Sequence, residues 1–362
     1  MCNALARVPS VELEVLTTDS AGPRLSQRLI VDEKPWSSPG GYPIYYCRRL
    51  LGTSVSLELL GRLVAKIHWA DVVHLTSVYS FPTIPTLALC RILGKPVVWS
   101  PRGQLQRWKK SRKVRLKGLW ERICNTLLAP RATVLHCTTR EEADESHPRF
   151  PRARPVVVPN GVEIPKMIPD RVWRPDGTLR LLYLGRLDPK KGIENLLQAM
   201  TEVAENVNLT VCGTGDAVYA NKLALLAHTL GLQARVRFVG HVEGDAKSLA
   251  LWETDLCVIP SYTENFAMVV AEALAHGVPV IASKGTPWEE LEKHGCGLWV
   301  ENDPRVLAKA IEVMRARSAA DLAAMGARGR AWMTEQYAWS EVANRMLAVY
   351  AKLVEDGRCH IR

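Results

Sequence analysis

Two carboxylates, Glu264 and Glu272, stand eight residues apart in a stretch flanked by apolar runs. The runs at 256–259 and 278–282 predict a strand, a loop with Glu264, a helix with Glu272 and a second strand. Parallel α/β sheets bind their ligands where strands end and helices begin. A carboxylate at that place is a strong hydrogen-bond acceptor for the hydroxyl groups of a sugar. The alternative is that Glu264 only caps the helix and that Glu272 is a solvated charge.

Two cations follow another predicted strand, 181–184, in a similar way. Arg186 stands directly after Gly185 at the end of this strand, and Lys191 stands just before the next helix. Such a pair can clamp a diphosphate, because Arg offers a planar fork of donors and Lys offers a mobile point charge. The alternative is a pair of surface cations, which is the usual environment of these residue types.

Together these stretches resemble the retaining, nucleotide-sugar-dependent glycosyltransferases of GT-B architecture that carry a Glu-x7-Glu motif (glycosyl transferases group 1, family four). The resemblance covers most of the chain and rests on the order and spacing of several motifs. These motifs are Pro159–Val162, Gly185–Gly192, Gly213–Gly215, Phe238–Val242, the Glu264 and Glu272 pair, and Tyr337–Trp339.

The resemblance implies an α/β fold with two Rossmann-like parallel-sheet domains that face a central cleft. We expect residues 1–163 to form the acceptor-binding domain and residues 164–339 to form the nucleotide-sugar-binding domain. A closing helix within 340–362 would return to the first domain. Within the first domain, apolar runs predict strands at 11–18, 72–75, 96–100, 132–138 and 155–159, and helices at 82–93 and 111–128.

The beginning of the chain departs from the family pattern. Members open with a strand and a Gly-rich turn, whereas Met1–Arg7 looks like the helix that follows that turn. We therefore expect the first strand of the amino-terminal domain to be missing, through a misassigned or truncated start or, alternatively, through an adapted fold. Removing a central parallel strand leaves two neighbouring strands with unpaired edges.

The resemblance also assigns roles to individual residues. Arg186 and Lys191 would hold the donor diphosphate and stabilise the leaving nucleotide, Glu264 would bind the transferred sugar, and Glu272 would accept hydrogen bonds from the ribose. We count Glu264, Arg186 and Lys191 as the catalytic candidates. Main-chain atoms near Val242 would read the base, and the backbone N–H groups of 265–268 would face a phosphate. The full donor site is then Gly185, Arg186, Lys191, Val242, Glu264, Asn265, Phe266, Ala267, Met268 and Glu272.

One position of this donor site departs from the family. Members usually have glycine after the phenylalanine of the motif, whereas this chain has Ala267 after Phe266. The extra methyl group would slightly crowd the closest approach of the backbone to the ligand.

Two residues of the amino-terminal half are candidates for the acceptor side. Arg102 follows a predicted strand where many relatives have a histidine, and it can contact a phosphate or the acceptor but cannot act as a general base. His74 also lies at the end of a predicted strand and would line the acceptor side of the cleft. Each has a purely structural role as its alternative.

The positive charge of the chain is concentrated in its amino-terminal half. Residues 1–168 contain 25 Lys and Arg against 13 Asp and Glu, and the remainder contains 22 against 24, which accounts for the net charge of +10. Such a bias favours an anionic partner: membrane lipid, a lipid diphosphate or nucleic acid. A basic amphipathic helix is predicted at 107–128. Its apolar residues follow helical spacing on one face: Leu116, Leu119, Trp120, Ile123 and Leu127. Cations crowd its approach and its opposite faces: Lys109, Lys110, Arg112, Lys113, Arg115 and Lys117.

This basic helix allows two interpretations, an anionic membrane surface or an apolar face that belongs to the domain core. We expect no nucleic-acid partner, because exposed aromatic residues are not interleaved with the cations beyond Trp108 and Trp120. No apolar run approaches the ~20 residues of a membrane span. The predicted location is the cytoplasm, either free or as a peripheral protein on the inner face of the cell membrane.

Metal and disulfide chemistry are not indicated. The nine cysteines are scattered singly without Cys-x-x-Cys spacing, which favours reduced thiols. No His, Asp and Glu grouping has the spacing of metal ligands, and the cation pair can supply the positive charge itself. We therefore expect a metal-independent enzyme with no cofactor other than its nucleoside-diphosphate-sugar donor.

The predicted function is the transfer of a sugar from a nucleoside-diphosphate sugar to a hydroxyl, with retention of configuration. The acceptor would be a glycan or a polyprenyl-diphosphate-linked glycan in bacterial cell-surface polysaccharide or lipopolysaccharide synthesis. The alternatives are a catalytically impaired partner subunit that binds nucleotide sugar and a GT-B sugar-nucleotide epimerase. A dinucleotide-dependent dehydrogenase is the weakest alternative, because Gly213–Gly215 lacks the third glycine of that fingerprint.

Overall fold

The fold is that of a computed structural model, which describes residues 1–21, 28–31, 35–52, 54–105, 114–129 and 132–358. The chain divides into two compact units. Unit 1 comprises Met1–Pro159 together with Trp339–Arg362, and unit 2 comprises Asn160–Ala338. The predicted division lay at 163/164. Residues 107–113 of the predicted basic helix, which include Lys109, Lys110, Arg112 and Lys113, lie outside the described ranges.

Unit 1 contains two sheets among its described residues. Strands β1 and β3 are parallel and β2 adds an antiparallel edge, in the order β1-β3-β2, while β4-β5-β6-β7 is a four-stranded parallel sheet. The strands are β1 Val15–Thr18, β2 Trp36–Ser37, β3 Pro43–Cys47, β4 Val73–Thr76, β5 Val97–Ser100, β6 Thr133–Cys137 and β7 Arg154–Val157. The helices are α1 Cys2–Leu5, α2 Leu57–Trp69, α3 Thr83–Ile92, α4 Val114–Leu127, α5 Arg140–Ser146 and, from the end of the chain, α12 Trp339–Arg358.

Helices cover both faces of the four-stranded sheet. On one face, Trp99 and Phe150 pack with their ring centroids 4.6 Å apart in a core that helices α2, α3 and α4 complete. On the other face, α12 packs Val342 and Met346 against Val98 and neighbouring valines of the sheet. The central strands β5 and β6 are buried along their whole length, as expected for parallel strands covered on both sides.

The two sheets of unit 1 end at unpaired strands. Within the described ranges, β1 pairs with β3 alone and β4 pairs with β5 alone. Both strands are only partly buried, in contrast to β5 and β6. Strands β1 and β4 are thus edge strands of their sheets, and the missing first strand stays a prediction.

Unit 2 has one six-stranded parallel sheet in the order β10-β9-β8-β11-β12-β13, so its first strand lies at the centre. This doubly wound order is typical of nucleotide-binding α/β folds. Its strands are β8 Leu179–Leu184, β9 Val207–Cys212, β10 Val236–Gly240, β11 Leu256–Ile259, β12 Val280–Ser283 and β13 Gly297–Val300. Its helices are α6 Ile193–Ala199, α7 Ala217–Thr229, α8 Gly244–Trp252, α9 Met268–Ala275, α10 Pro304–Arg315 and α11 Ala319–Gln336.

The core of unit 2 lies on both faces of this sheet. Alternate residues of a strand point to opposite faces, and β8 follows this rule. Leu181 and Tyr183 join the cluster formed with α6, α7 and α10, whereas Leu182 and Leu184 join the cluster formed with α9. The predicted α/β class with two parallel-sheet units is confirmed.

Gly213 has a packing role that explains its residue type. A Cβ at this position would lie 1.8 Å from the carbonyl oxygen of Gly185, so only glycine lets the ends of β9 and β8 come this close. The glycine therefore shapes the carboxyl edge of the sheet, next to Arg186. None of the helices in the described ranges combines the length and apolar character needed to cross a bilayer.

Candidate active site

The structure joins the two sequence motifs of unit 2 through an ion pair. The Lys191 ammonium donates to Oε1 of Glu264, and Ser261 Oγ donates to the same oxygen over 2.8 Å. Lys191 ends the short 3-10 turn that follows β8, and Glu264 lies in the loop between β11 and α9. Both side chains are mostly buried, with 15 % and 10 % exposed. A shielded ion pair thus lies at the carboxyl edge of the sheet.

Gly192 permits the close packing that brings Lys191 to Glu264. It adopts a left-handed conformation with φ of 63°, and a Cβ there would lie 2.2 Å from the carbonyl oxygen of Pro260. The backbone N–H of Tyr262 donates to the carbonyl of Lys190 over 2.8 Å. The turn after β8 is therefore fixed directly against the end of β11.

Lys190 is a third cation at this edge, which the sequence interpretation missed. Burial lowers the pKa of Lys190, and the nearby Lys191 and Arg186 lower it further, while Glu264 opposes them. Arg186 itself is exposed, and its carbonyl oxygen accepts a hydrogen bond of 2.8 Å from Tyr183. Arg186, Lys190 and Lys191 therefore lie close together at this edge, with Glu264 and Asp188 nearby, and such a group of cations suits an anionic ligand with several oxygens.

The loop that carries Glu264 is held at both ends. The backbone N–H of Glu264 donates to the carbonyl of Gly285 over 2.8 Å, and the indole N–H of Trp288 donates to the carbonyl of Phe266 over 2.6 Å. The rings of Phe266 and Trp288 pack edge to face, 5.3 Å between centroids. These contacts position the residues before α9 as a rigid segment.

Ala267 adopts the left-handed conformation, with φ of 57° and ψ of 64°, at the N-cap of α9. This conformation is strained for a residue with a Cβ and is free for glycine, which gives a physical reason for the usual glycine at this position. No side chain caps the amino end of α9. The first N–H groups of this helix, from Met268 onward, point out of its amino end, where an anion binds favourably.

Glu272 lies within α9, as predicted, and forms an ion pair with Lys247 of α8. Lys247 Nζ lies 2.9 Å from Glu272 Oε1, and the side chains are 31 % and 22 % exposed. Val242, the residue predicted to lie near the base, is half-buried and stands two residues before α8 begins. Lys247 was not predictable from the sequence, because its pair with Glu272 depends on the packing of two helices.

In unit 1, both ring nitrogens of His74 are hydrogen-bonded. Its Nδ1 lies 2.5 Å from Tyr350 Oη, and its Nε2 lies 2.7 Å from Ser100 Oγ, which in turn lies 2.7 Å from His136 Nδ1. His136 Nε2 lies 2.9 Å from the carbonyl of Val158. This chain of side chains links α12 to three strands of the sheet. An acceptor hydroxyl could bind His74 only by replacing one of these bonds.

The carbonyl at one end of this chain fixes the direction of every hydrogen bond. Since a carbonyl only accepts, His136 donates from Nε2, and in the neutral form, which burial favours by lowering its pKa, it accepts at Nδ1 from the Ser100 hydroxyl. Ser100 then accepts from Nε2 of His74, whose Nδ1 accepts from Tyr350. Both histidines are neutral in this arrangement. Consistently, burial lowers the pKa of His136 to about 4 and places the pKa of His74 well below 6.5.

Arg102 lies in the loop after β5, with a left-handed φ of 54°. Burial lowers the pKa of its guanidinium, and Glu142 opposes this effect. The buried Glu142 carboxylate accepts hydrogen bonds from the backbone N–H of Gly103 over 2.5 Å and of Thr138 over 2.7 Å. The loop of Arg102 is thus firmly held, and the predicted contact of Arg102 with a phosphate or acceptor stays a prediction.

The described part of the basic helix, α4, has two distinct apolar stripes. One stripe packs inward: Cys124 and Leu128 are fully buried, and Trp120 donates its indole N–H to the carbonyl of Val78 over 2.8 Å. The other stripe is exposed and consists of Leu116, Leu119 and Ile123, with 63 %, 55 % and 39 % exposure. The core interpretation therefore holds for the inward stripe, and contact of the exposed stripe with a membrane stays a prediction.

Metal ligands do not cluster in the part of the chain that the structure describes: it contains no group of three or more His, Cys, Asp or Glu side chains that could hold a metal ion. The eight cysteines within the same ranges are free thiols, and seven of them are buried.

Comparison with known families gives a match for each half of the chain. Residues 168–332 match the family described as Glycosyl transferases group 1, and residues 1–165 match Glycosyltransferase Family 4. Together the two matches span nearly the whole chain. The protein belongs to this glycosyltransferase family.

Individual relatives are similar over part of their length. The chain is 32% identical over 185 residues to an uncharacterized glycosyltransferase of Methanocaldococcus jannaschii, covering 50% of this chain and 46% of the relative. It is 32% identical over 241 residues to a D-inositol 3-phosphate glycosyltransferase of Xylanimonas cellulosilytica, covering 60% and 56%. A phosphatidyl-myo-inositol mannosyltransferase of Mycobacterium leprae is 31% identical, covering 56% and 54%. The chain thus spans about half the length of these relatives.

Solved structures share the fold. HepE of Anabaena in complex with UDP superposes with a TM-score of 0.72 at 20% identity, covering 86% of this chain and 87% of HepE. Sucrose-phosphate synthase of Thermosynechococcus elongatus superposes with a TM-score of 0.73 at 21% identity, covering 97% and 91%. At this level of identity the likeness concerns the fold, and it supports the GT-B class.

Proposed function

We propose that the protein transfers a sugar from a nucleoside-diphosphate sugar to a hydroxyl group, with retention of the anomeric configuration. The observation that carries this proposal is the shielded pair of Lys191 and Glu264, which places a cation and a sugar-binding carboxylate side by side at the carboxyl edge of the unit 2 sheet. The solved structure of HepE holds UDP-glucose within a similar fold, which supports the same class of donor here.

In the proposed reaction, Arg186, Lys190 and Lys191 bind the oxygens of the diphosphate. The bond between the anomeric carbon and the phosphate oxygen breaks, and the acceptor oxygen forms its bond on the same face of the sugar. The proton of the acceptor hydroxyl passes to the departing phosphate oxygen, so no side chain acts as a covalent nucleophile. The cations stabilise the charge that develops on the leaving group, which is often the largest contribution to catalysis.

Glu264 has a double role in this proposal. In the unliganded protein it neutralises Lys191, and with donor bound it accepts hydrogen bonds from the transferred sugar while Lys191 turns to the phosphate. Glu272 binds the ribose hydroxyls, and the amino end of α9 binds a phosphate. We propose no metal requirement and no further cofactor, because the three cations supply the positive charge at the diphosphate.

For the acceptor, we propose a glycan or a glycan linked to a polyprenyl diphosphate at the cytoplasmic face of a bacterial membrane. The exposed stripe of Leu116, Leu119 and Ile123 lies among Arg115, Lys117 and Arg122 on α4, which fits an anionic lipid surface. The fold is shared by WaaG, a glycosyltransferase involved in lipopolysaccharide biosynthesis, which supports a cell-surface pathway.

A second candidate is a partner subunit that binds nucleotide sugar without turnover. The observation that favours it is the pair of unpaired strand edges, β1 and β4, in unit 1. Both candidates bind nucleotide sugar, because the proposed donor residues lie in unit 2. Only the enzyme also turns the donor over, so a measurement of turnover separates the two.

A thermal-shift panel with UDP, GDP, ADP and their common sugar conjugates tests the proposed donor site. A ligand that binds only the native state stabilises it by RT ln(1 + [L]/Kd). We expect a rise in melting temperature that is selective for one nucleotide, which also names the base. A folded sample that shows no shift with any of these ligands would contradict the proposed function.

A further inference from the structure

Two helices of unit 2 meet at Glu272. Helix α8 begins directly after residues 241–243, the segment assigned to the base, and α9 carries Glu272. Lys247 of α8 reaches across to Glu272, with 2.9 Å between Nζ and Oε1. The pair is mostly shielded, with 31 % and 22 % of the side chains exposed, so salt screens it less than an open surface pair.

A second contact joins the same two helices at the backbone of Glu272. Nδ1 of His276, directly after α9, lies 2.8 Å from the carbonyl oxygen of Glu272, so this nitrogen donates. Nε2 is then left as an acceptor for Ser248, whose hydroxyl lies 3.4 Å away. Ser248 is the neighbour of Lys247 on α8. The side chain and the backbone of Glu272 are therefore both held from one short segment, 247–248.

Holding the carboxylate matters because of what it is proposed to bind. The two hydroxyls of a ribose need two acceptors in a fixed orientation, and a glutamate on a helix surface has several rotamers. Lys247 occupies one side of Oε1 and leaves Oε2 and a further lone pair of Oε1 for a ligand. Side chains held by a neighbouring residue lose less freedom when a ligand binds.

We propose that Lys247 is a positioning residue that orients Glu272 for the ribose hydroxyls of the donor nucleotide. It also ties the ribose contact to the helix that follows the base-reading segment. This inference rests on the proposed function, since it assumes that Glu272 binds ribose.

The test compares a nucleoside diphosphate with its 2′,3′-dideoxy form by isothermal titration calorimetry. The probe is whichever of UDP, GDP and ADP gives the largest thermal shift. Wild-type protein binds the ribose form more tightly than the dideoxy form. In Lys247→Met the affinity for the ribose form falls about tenfold, the affinity for the dideoxy form is unchanged, and the preference for ribose is largely lost.

Two variants separate positioning from general damage. Lys247→Arg keeps a cation within reach of Glu272 and retains most of the preference for ribose. Lys293→Met removes a similar ammonium from an exposed ion pair with Glu290, in which Lys293 Nζ lies 2.9 Å from Glu290 Oε1, and leaves both affinities unchanged. Lys247→Gln, which keeps a hydrogen-bond donor without charge, serves as a second variant should Lys247→Met fail to fold, and shows the same loss of preference in reduced form.

A double-mutant cycle shows whether Lys247 acts through Glu272. In a Glu272→Gln background, Lys247→Met causes no further loss of affinity. An equal loss in both backgrounds means that Lys247 contacts the nucleotide itself and overturns the inference. If the wild type and Lys247→Met prefer the ribose form to the same extent, the inference is overturned, while the proposed function stands. A wild type that binds the nucleotide without any preference for ribose overturns the ribose role of Glu272 and this inference with it, whereas a wild type that binds no nucleotide overturns the proposed function as well.

Discussion

The ammonium of Lys191 and the carboxylate of Glu264 pair across the gap between the turn after β8 and the loop after β11. The two residues are 73 positions apart in the sequence, yet the adjacent strands β8 and β11 place them together. The pairing leaves the unliganded site with its positive charge partly neutralised. In the proposed reaction, the donor replaces this internal ion pair by an ion pair between Lys191 and a phosphate and by hydrogen bonds from sugar hydroxyls to Glu264.

Glu264→Gln is predicted to weaken binding of the nucleotide sugar but not of the nucleoside diphosphate. The amide retains the shape but loses the charged acceptor, and hydrogen bonds to charged groups contribute about 1.5–3 kcal/mol. We expect the affinity for the nucleotide sugar to fall about tenfold or more, while the affinity for the nucleoside diphosphate is kept or rises because Lys191 is released. Calorimetric titrations with both ligands measure this.

Glu290→Gln, which breaks the exposed pair with Lys293, is the matched control and leaves both affinities unchanged. If Glu264→Gln weakened the nucleoside diphosphate and its sugar conjugate to the same extent, the carboxylate would have no specific role at the sugar.

Ala267→Gly is predicted to stabilise unit 2, although most glycine substitutions destabilise. The left-handed conformation costs an L-residue roughly 1–2 kcal/mol, and the entropy lost by glycine on folding costs roughly 0.5–1 kcal/mol. The free energy of unfolding should therefore rise by up to about 1 kcal/mol, measured by urea denaturation. Ala319→Gly, at an exposed first position of α11, should lower it, and a decrease for Ala267→Gly of similar size would refute the strain argument.

The histidine chain of unit 1 predicts a dependence of stability on pH. The pKa of His136 is about 4 in the folded protein against 6.5 as its ordinary value. Because the folded-state pKa is depressed, the unfolded state binds more protons below pH 6.5. The free energy of unfolding is therefore full above pH 6.5 and falls as the pH drops towards 4, with a slope of up to about 1.4 kcal/mol per pH unit for each such histidine.

Urea denaturation at pH 7.0, 6.0 and 5.0 checks this slope, in a range where most carboxylates stay ionised. His136→Gln should flatten the decline, whereas a variant of the exposed His228, His228→Gln, should not. A decline of equal slope in wild type and His136→Gln would show that other groups cause it.

The exposed stripe of α4 is predicted to carry membrane binding. A triple variant with serine at Leu116, Leu119 and Ile123 loses apolar surface that is already exposed, so the fold should stay intact. Binding to vesicles of phosphatidylglycerol and phosphatidylcholine, measured by co-sedimentation, should fall at least about tenfold, since each buried leucine contributes about 1.5–3 kcal/mol. The exposed Leu225 of α7 provides the control Leu225→Ser, and unchanged binding of the triple variant would exclude this surface.

Much of unit 2 was predictable because its strands are apolar on both faces and its turns carry glycine. The strand predicted at 256–259 is β11 as observed, and Glu272 lies in the helix that follows. In unit 1, the strand predicted at 11–18 is shorter than expected, since only Val15–Thr18 pair in a sheet. Regular burial leaves a pattern in the sequence, whereas the length of pairing depends on the neighbouring strand.

The partners of the site residues were not predictable in the same way. Their contacts are made between helices and strands that meet only in the folded unit. This holds for Lys190, for Lys247 and for the chain of hydrogen bonds from Tyr350 to His136. Lys247 and Glu272, for example, are 25 positions apart and lie on different helices. A single lysine or histidine carries no periodic signal, so its environment is known only once the fold is known.

The central claim is that unit 2 holds a donor that the protein turns over, and the rate of nucleotide release tests it most directly. The measurement follows release of the nucleoside diphosphate from the sugar nucleotide identified by thermal shift, with vesicle-borne lipid-linked glycan supplied as acceptor. We predict turnover by the wild type, a loss of several orders of magnitude in Lys191→Ala, and an unchanged rate in Lys222→Ala, whose side chain is 67% exposed. Equal rates in Lys191→Ala and the wild type, or binding without any release, would contradict the account.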